Sequence, residues 1–178
     1  TTMSALRLIN ETTASNVSNV SVTDVFSSDF DIYKIVFTDI DQSSSGGSHS
    51  NISFINSSGS EVTDAIYDYA QMQLKGYSSF GTDKYVNQRY IRLVEQVTGN
   101  SAIGSGAVCY IFNPTNSNSY TFGLGQSQGF YETAGSLGSK GIGVLKQTSS
   151  ITGFKFFSQN VITYDSIKFK IYGLRVDS

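Results

Sequence analysis

The run Asp31-Ile-Tyr-Lys-Ile-Val-Phe-Thr38 constrains this chain more than any other stretch. In an extended backbone successive side chains point to opposite faces. Ile32 and Val36 then share one face, and Tyr33, Ile35 and Phe37 the other. β-Branched and aromatic residues on both faces predict an inner strand covered on both sides. Ser27-Ser-Asp29 before the run and Asp39 to Gly47 after it hold it to strand length. The expectation is an all-β chain whose other strands pack on this one.

The rest of the chain fits that frame. Ala5 to Ile9, Val20 to Val22, Asn51 to Ile55 and Tyr90 to Val97 read as strands, with Asn10 to Ser18 a polar loop. Gly104 to Phe112 reads as a buried strand ending at Asn113-Pro114. Tyr120 to Leu124, Gly141 to Lys146 and Gly153 to Phe157 add three more. Ser166 to Tyr172 has Ile167, Phe169 and Ile171 facing in and Lys168, Lys170 and Tyr172 facing out. Asp41 to Ser48, rich in Ser and Gly, reads as a loop, as does Gly76 to Lys84. Thr63 to Leu74 fits period two, yet Ile66, Ala70 and Leu74 also fit a helix capped by Thr63. We read it as a strand. Ten or more strands separated by turn signals predict an antiparallel β-sandwich, jelly-roll-like, formed by residues 1–178 as a single domain.

Composition narrows the function. Only 15% of the 178 residues are charged, against a usual share of about 25%, while Tyr and Phe number 11 and 12. Such a chain suits strands with uncharged polar outer faces rather than disorder. The net charge of −2 and the lack of a Lys/Arg run give nucleic acid or an anionic membrane no electrostatic footprint. No apolar run reaches the roughly 18 residues of a membrane span. Thr1 to Ala5 lacks the basic start and apolar centre of a signal peptide. One Cys cannot form an internal disulfide.

Few residues suggest chemistry. Gly125-Gln-Ser127-Gln-Gly129 has the spacing of a nucleophile elbow, but that elbow needs a strand before it, a helix after it and a downstream His. The only His is His49, far upstream in the Ser/Gly loop and expected to be solvated. Cys109 sits between apolar neighbours, where Cys acts as a small hydrophobe. Gly123, Gly125, Gly141 and Gly143 lack a Lys-Ser/Thr partner for phosphate and read as turn and bulge glycines. Asp29 and Asp31, or Asp39 and Asp41, could offer calcium a few of its six to eight oxygens, and no fuller metal set is visible. Glu11, Glu61, Glu95 and Glu132 are too scattered to suggest a glycosidase pair. No catalytic residue and no cofactor site is expected. Tyr67, Tyr69, Tyr77, Phe80 and Tyr85 cluster along one stretch. They are either interface aromatics or part core and part edge.

Several stretches resemble small virion structural proteins of tailed bacteriophages, marine and cyanophage-like ones included. They are Asp24-Val-Phe-Ser-Ser-Asp-Phe-Asp-Ile-Tyr-Lys-Ile-Val36, Phe54-Ile-Asn-Ser-Ser-Gly59 and Tyr67-Asp-Tyr-Ala70. Ser105-Gly106 leading to Tyr110-Ile-Phe-Asn-Pro114, Gly141-Ile-Gly-Val144 and Ile171-Tyr-Gly-Leu174 complete the ordered set. The resemblance implies a β-sandwich located in the virion, assembled in the bacterial host cytoplasm, with no catalytic residues to carry across. A compact chain without room for a coiled coil or triple-stranded shaft suits a head decoration (cement) protein. It would bind the major capsid protein or other virion proteins, as a homo-oligomer such as a trimer. The competing expectation is a tail- or fibre-associated domain that binds a receptor or carbohydrate.

Overall fold

The computed structural model describes residues 6–43, 48–97, 104–131 and 134–175. Twelve strands follow one another: β1 (Leu6–Ala14), β2 (Asn19–Val22), β3 (Ile32–Gln42), β4 (Ser48–Asn56), β5 (Tyr67–Lys75) and β6 (Gly81–Gln88). Then come β7 (Ile91–Val97), β8 (Ser105–Phe112), β9 (Thr121–Tyr131), β10 (Gly135–Leu145), β11 (Ile151–Ser158) and β12 (Tyr164–Leu174). No helix occurs among the described residues. An eight-stranded sheet of order β1-β12-β3-β8-β9-β10-β5-β6 faces a four-stranded sheet of order β2-β11-β4-β7. All pairings are antiparallel.

The chain changes sheet repeatedly. From β2 in the small sheet it passes to β3 in the large, β4 in the small, β5 and β6 in the large, then β7 in the small. It continues through β8 to β10 in the large sheet, β11 in the small and β12 in the large. This alternation is that of a jelly roll, with the β8–β10 meander widening the larger sheet and β1 extending its edge beyond β12.

The core lies between the sheets as one contiguous apolar cluster. Tyr33, Ile35 and Phe37 of β3 and Ile167, Phe169 and Ile171 of β12 meet Phe54 of β4 and Phe154 and Phe156 of β11, all buried. Phe37 joins the layers, its ring centroid 4.5 Å from that of Phe156 and 5.1 Å from that of Phe169. Each such ring removes about 150–250 Å² from water, so this aromatic layer carries much of the stability. Two tyrosines span the same gap with their hydroxyls. Tyr164 of β12 reaches to 2.9 Å from Ser50 Oγ of β4. Tyr67 of β5 donates to the Val62 carbonyl at 2.9 Å and accepts from the Phe54 N–H at 3.1 Å. Burial alone would strand these hydroxyls, and the cross-sheet bonds satisfy them.

Four expectations need correction. First, β3 is inner in its sheet, between β12 and β8, yet covered on one face only. Tyr33, Ile35 and Phe37 are buried, whereas Ile32 and Val36 are half-buried on the outer face. Second, the polar loop at Asn10 to Ser18 is strand as far as Ala14, because edge strand β1 pairs along β12 as far as Ala14↔Ile167. Third, the loop at Gly76 to Lys84 contains the start of β6, an edge strand held by β5 alone. Fourth, Asp41 and Gln42 belong to β3 and are buried, and Ser48 begins β4. The intervening 44–47, like Thr1 to Ala5, lie outside the described residues. Thr63 to Leu74 contributes strand from Tyr67 onward, and Ser166 to Tyr172 has the one-sided burial its alternation implies.

Candidate docking surface

On β9 and β10 glycines face inward and large apolar residues face outward. Gly123 and Gly125 alternate with Phe122 and Leu124, and Gly141 and Gly143 with Ile142 and Val144. The inward glycines are what let β7 come down onto this part of the sheet. A Cβ on Gly143 would sit 2.6 Å from Ile91 Cγ2, and one on Gly125 would sit 2.6 Å from the Leu93 carbonyl oxygen. These glycines are strand-interior residues rather than the turn and bulge glycines expected from their spacing. Glycine weakens a strand unless close approach needs it, and here Ile91 and Leu93 fill the space.

The outward residues form a belt across the whole sheet. Strand register places Leu8, Tyr172, Lys34, Tyr110, Leu124, Ile142, Ala70 and Lys84 in one cross-strand row. A neighbouring row runs Leu6, Leu174, Ile32, Phe112, Phe122, Val144 and Asp68. Ile142 is 60% exposed, Phe122 44% and Val86 of β6 64%, so this apolar surface faces solvent. Over β9, β10, β5 and β6 it hollows into a groove of about 800 Å³, bordered by Phe112, Phe122, Ile142 and Val86. Asp68 and Lys84 are the charged residues of its lining. Eight strands at about 4.8 Å spacing make the belt about 34 Å wide, and two rows make it about 10 Å tall. That area, about 340 Å², falls in the range of about 300–600 Å² of the largest patch on a typical monomer, a patch that is often functional.

A third row, Glu11, Lys170, Val36, Val108, Gln126, Lys140, Met72 and Thr82, borders the belt. Two ion pairs lie on or beside these rows: Lys170 lies 3.3 Å from Glu11, and Lys146 lies 2.8 Å from Asp68. The Lys146 ammonium holds the Asp68 carboxyl below its ordinary value, opposed by desolvation and helped by the Asn87 N–H. Lys34, Lys84 and Lys140 have no carboxylate within 4.0 Å among the described residues.

The inner side differs. Where β5 and β6 project past β7, a polar seam closes the sandwich. Glu95 Oε2 accepts from Gln71 Nε2 at 2.7 Å, and Glu95 Oε1 lies 2.9 Å from His49 Nδ1. Arg92, 5% exposed, pairs with Asp83 at 3.2 Å, bonds Gln159 and Asn51, and lies 5.5 Å above the Tyr69 ring. His49 is thus a half-buried residue of β4 beside a carboxylate, not a solvated loop residue. The seam brings together His49 of β4, Asp83 of β6 and Arg92 and Glu95 of β7, with Gln71 of β5 between them, a convergence that sequence spacing did not signal.

The remaining candidates fall as follows. Tyr67 and Tyr69 are buried, while Tyr77, Phe80 and Tyr85 are exposed. Tyr85 packs against Tyr69 with centroids 5.3 Å apart and the rings tilted by 38°, on the inward side of the β5–β6 overhang. Ser127 lies inside β9, and its hydroxyl lies 2.9 Å from Ser139 Oγ and accepts from the Glu95 N–H at 2.9 Å. The strand–turn–helix of a nucleophile elbow does not form there. Cys109 is fully buried in β8, and burial pushes its thiol up to about 12. Asp29 and Asp31 are exposed before β3. No three His, Cys, Asp or Glu among the described residues converge as a metal set. Glu11 pairs with Lys170 and Glu61 with Lys155, and Glu132 lies outside the described residues. A scan of protein-family models and a search of curated proteins found no match to this chain.

Proposed function

We propose that the protein is a non-catalytic structural protein of a tailed-bacteriophage particle. In this reading it decorates the head, binding the major capsid protein and adding contact area across capsid subunit boundaries against internal DNA pressure. It assembles in the bacterial host cytoplasm and clusters on the shell as a homo-oligomer such as a trimer. The observation that carries the reading is the exposed apolar belt, with its groove, on the outer face of the eight-stranded sheet, a patch of the size that is often functional. The ordered resemblance to small virion proteins supplies the context. Low charge favours contacts that change little with salt over most of the surface.

The test is to mix purified protein with phage capsids that lack it. The expected result is saturable co-sedimentation at a fixed copy number per capsid subunit, with a raised temperature of particle disruption. Capsids that remain bare would overturn the proposal. A second reading, glycan binding by a tail- or fibre-associated domain, draws on the β5–β6 overhang. There the exposed Tyr85 ring lies on the same inward side as Asp83 and Gln73, and sugars are recognised by aromatic stacking with adjacent polar groups. Specific glycan retention that is lost in Tyr85→Ala would favour it.

A further inference from the structure

A docked interface of ordinary stability needs about 800 Å² from each partner, more than twice the apolar belt. The whole outer face, about 34 Å across and eight residues or about 27 Å along the strands, supplies about 900 Å². A partner that covers the belt therefore covers Lys34 and Lys84, which lie in its first row, and on reaching the flanking row covers Lys140 as well. Desolvating an ammonium without a counter-charge is costly, so those lysines restrict what can dock.

We propose that the outer face of the eight-stranded sheet receives a protein surface that is apolar at its centre and carries carboxylates opposite Lys34, Lys84 and Lys140. This rests on the decoration reading and gives the partner's chemistry. Phe122 and Ile142, with Phe112 and Leu124 beside them, supply the apolar contact. The lysines set orientation and speed of encounter, the role that border charges take in protein association. A second copy of this chain is a poor occupant. It would bring three more unpaired lysines against the first three, with only Asp68 and Glu11 on these rows, each already paired.

The experiment compares four proteins on capsids lacking the protein: wild type, Phe122→Ser/Ile142→Ser, Lys34→Glu/Lys84→Glu/Lys140→Glu, and Arg89→Glu. Arg89 lies in the β6–β7 turn, off the three rows. Circular dichroism and thermal melting confirm that each is folded. The expected result is binding at least about thirtyfold weaker for the serine pair, the scale of losing an interface anchor. Charge reversal should slow association at least about tenfold and invert its salt dependence, with Arg89→Glu unchanged. Wild-type binding that both multiple variants retain overturns this inference alone and leaves the decoration reading standing. Sedimentation of free wild type as a dimer that the serine pair dissociates overturns it in favour of a second copy. Monomeric wild type that leaves capsids bare overturns both.

Discussion

Along β10 the inward residues Gly141, Gly143 and Leu145 lie against the small sheet and are buried. The outward residues Lys140 and Ile142 are exposed, and Val144 is half-buried. From Gly141 to Val144 the strand thus carries glycine where the protein is closed and its β-branched residues where it is open. A sheet that ended its contacts with this chain would be expected to reverse that choice, apolar in and polar out. The inner face is shaped for folding: glycine admits Ile91 and Leu93, and rings fill the rest. The outer face holds apolar surface that folding of this chain does not bury. The contrast separates residues that stabilise the fold from residues available to a partner.

The strongest way to break the contrast is to remove one ring from each face. Phe37→Ala deletes the ring that bridges Phe156 and Phe169 and should cost about 3–5 kcal/mol. Phe122→Ala, on the outer face, should cost less than about 1 kcal/mol. In a chain of this length the first is a fall in Tm of at least about 6 °C and the second of no more than about 4 °C. Equal losses would mean that the outer face serves the fold and not a partner.

A second test addresses the glycines. Gly143→Ala should destabilise by about 1–3 kcal/mol through overpacking against Ile91. Combining it with Ile91→Ala should cost less than the sum of the two, because the double change removes the clash. Ile142→Ala, one residue away on the other face, should be additive with Ile91→Ala. Additivity at Gly143 would show that Ile91 does not determine why glycine is there.

Titration sharpens the inner half. The Cys109 thiol is raised from 9.0 to about 12 by desolvation. The fold therefore retains a proton there that the unfolded chain releases. The resulting stability is present below pH 9 and is lost as pH climbs towards 12. Tyr67 and Tyr164 are shifted upward too, chiefly by burial, and add to the decline above pH 10. Folded protein at pH 8 should leave Cys109 unreactive to a thiol reagent until denaturant is added. Rapid labelling of the native state would contradict the burial of β8.

These contrasts also mark what the residues disclose. Ser166 to Tyr172 is legible because one face is apolar and the other charged, so period two assigns both. Phe122-Gly-Leu-Gly125 reveals the alternation but not its sense. The larger residues would ordinarily be placed inside, and only the approach of β7 reverses that. The strand β6, Gly81-Thr-Asp-Lys-Tyr-Val-Asn-Gln88, is polar on an edge and held by β5, so local pattern misses it. The half of β1 beyond Ile9 is hidden for the same reason. Arg92 and Asn51 are 41 residues apart in the chain, and no spacing rule connects them. Fold class follows from local alternation, whereas the docking belt and the polar seam arise from which sheet covers which face.

The smallest expected effect lies at the border of the groove. Lys146 Nζ bonds Asn87 Oδ1 at 2.8 Å as well as pairing with Asp68, and the Asn87 N–H donates to Asp68 at 2.8 Å. This clasp ties the end of β6 to β5 beside the belt. The Asp68 carboxyl is held below its ordinary value, so its contribution is present at neutral pH and fades as acid protonates it. Both side chains remain partly exposed, and solvent screening limits the pair to less than about 1 kcal/mol. Lys146→Ala should therefore change Tm little, yet return the Asp68 carboxyl resonance towards the usual titration range in NMR. It should also quicken amide exchange at Asn87 while leaving Phe37 and Ile35 protected. Accelerated exchange in both places would mean that the border of the outer face and the aromatic core open as one unit, and the two faces could not then be tuned separately.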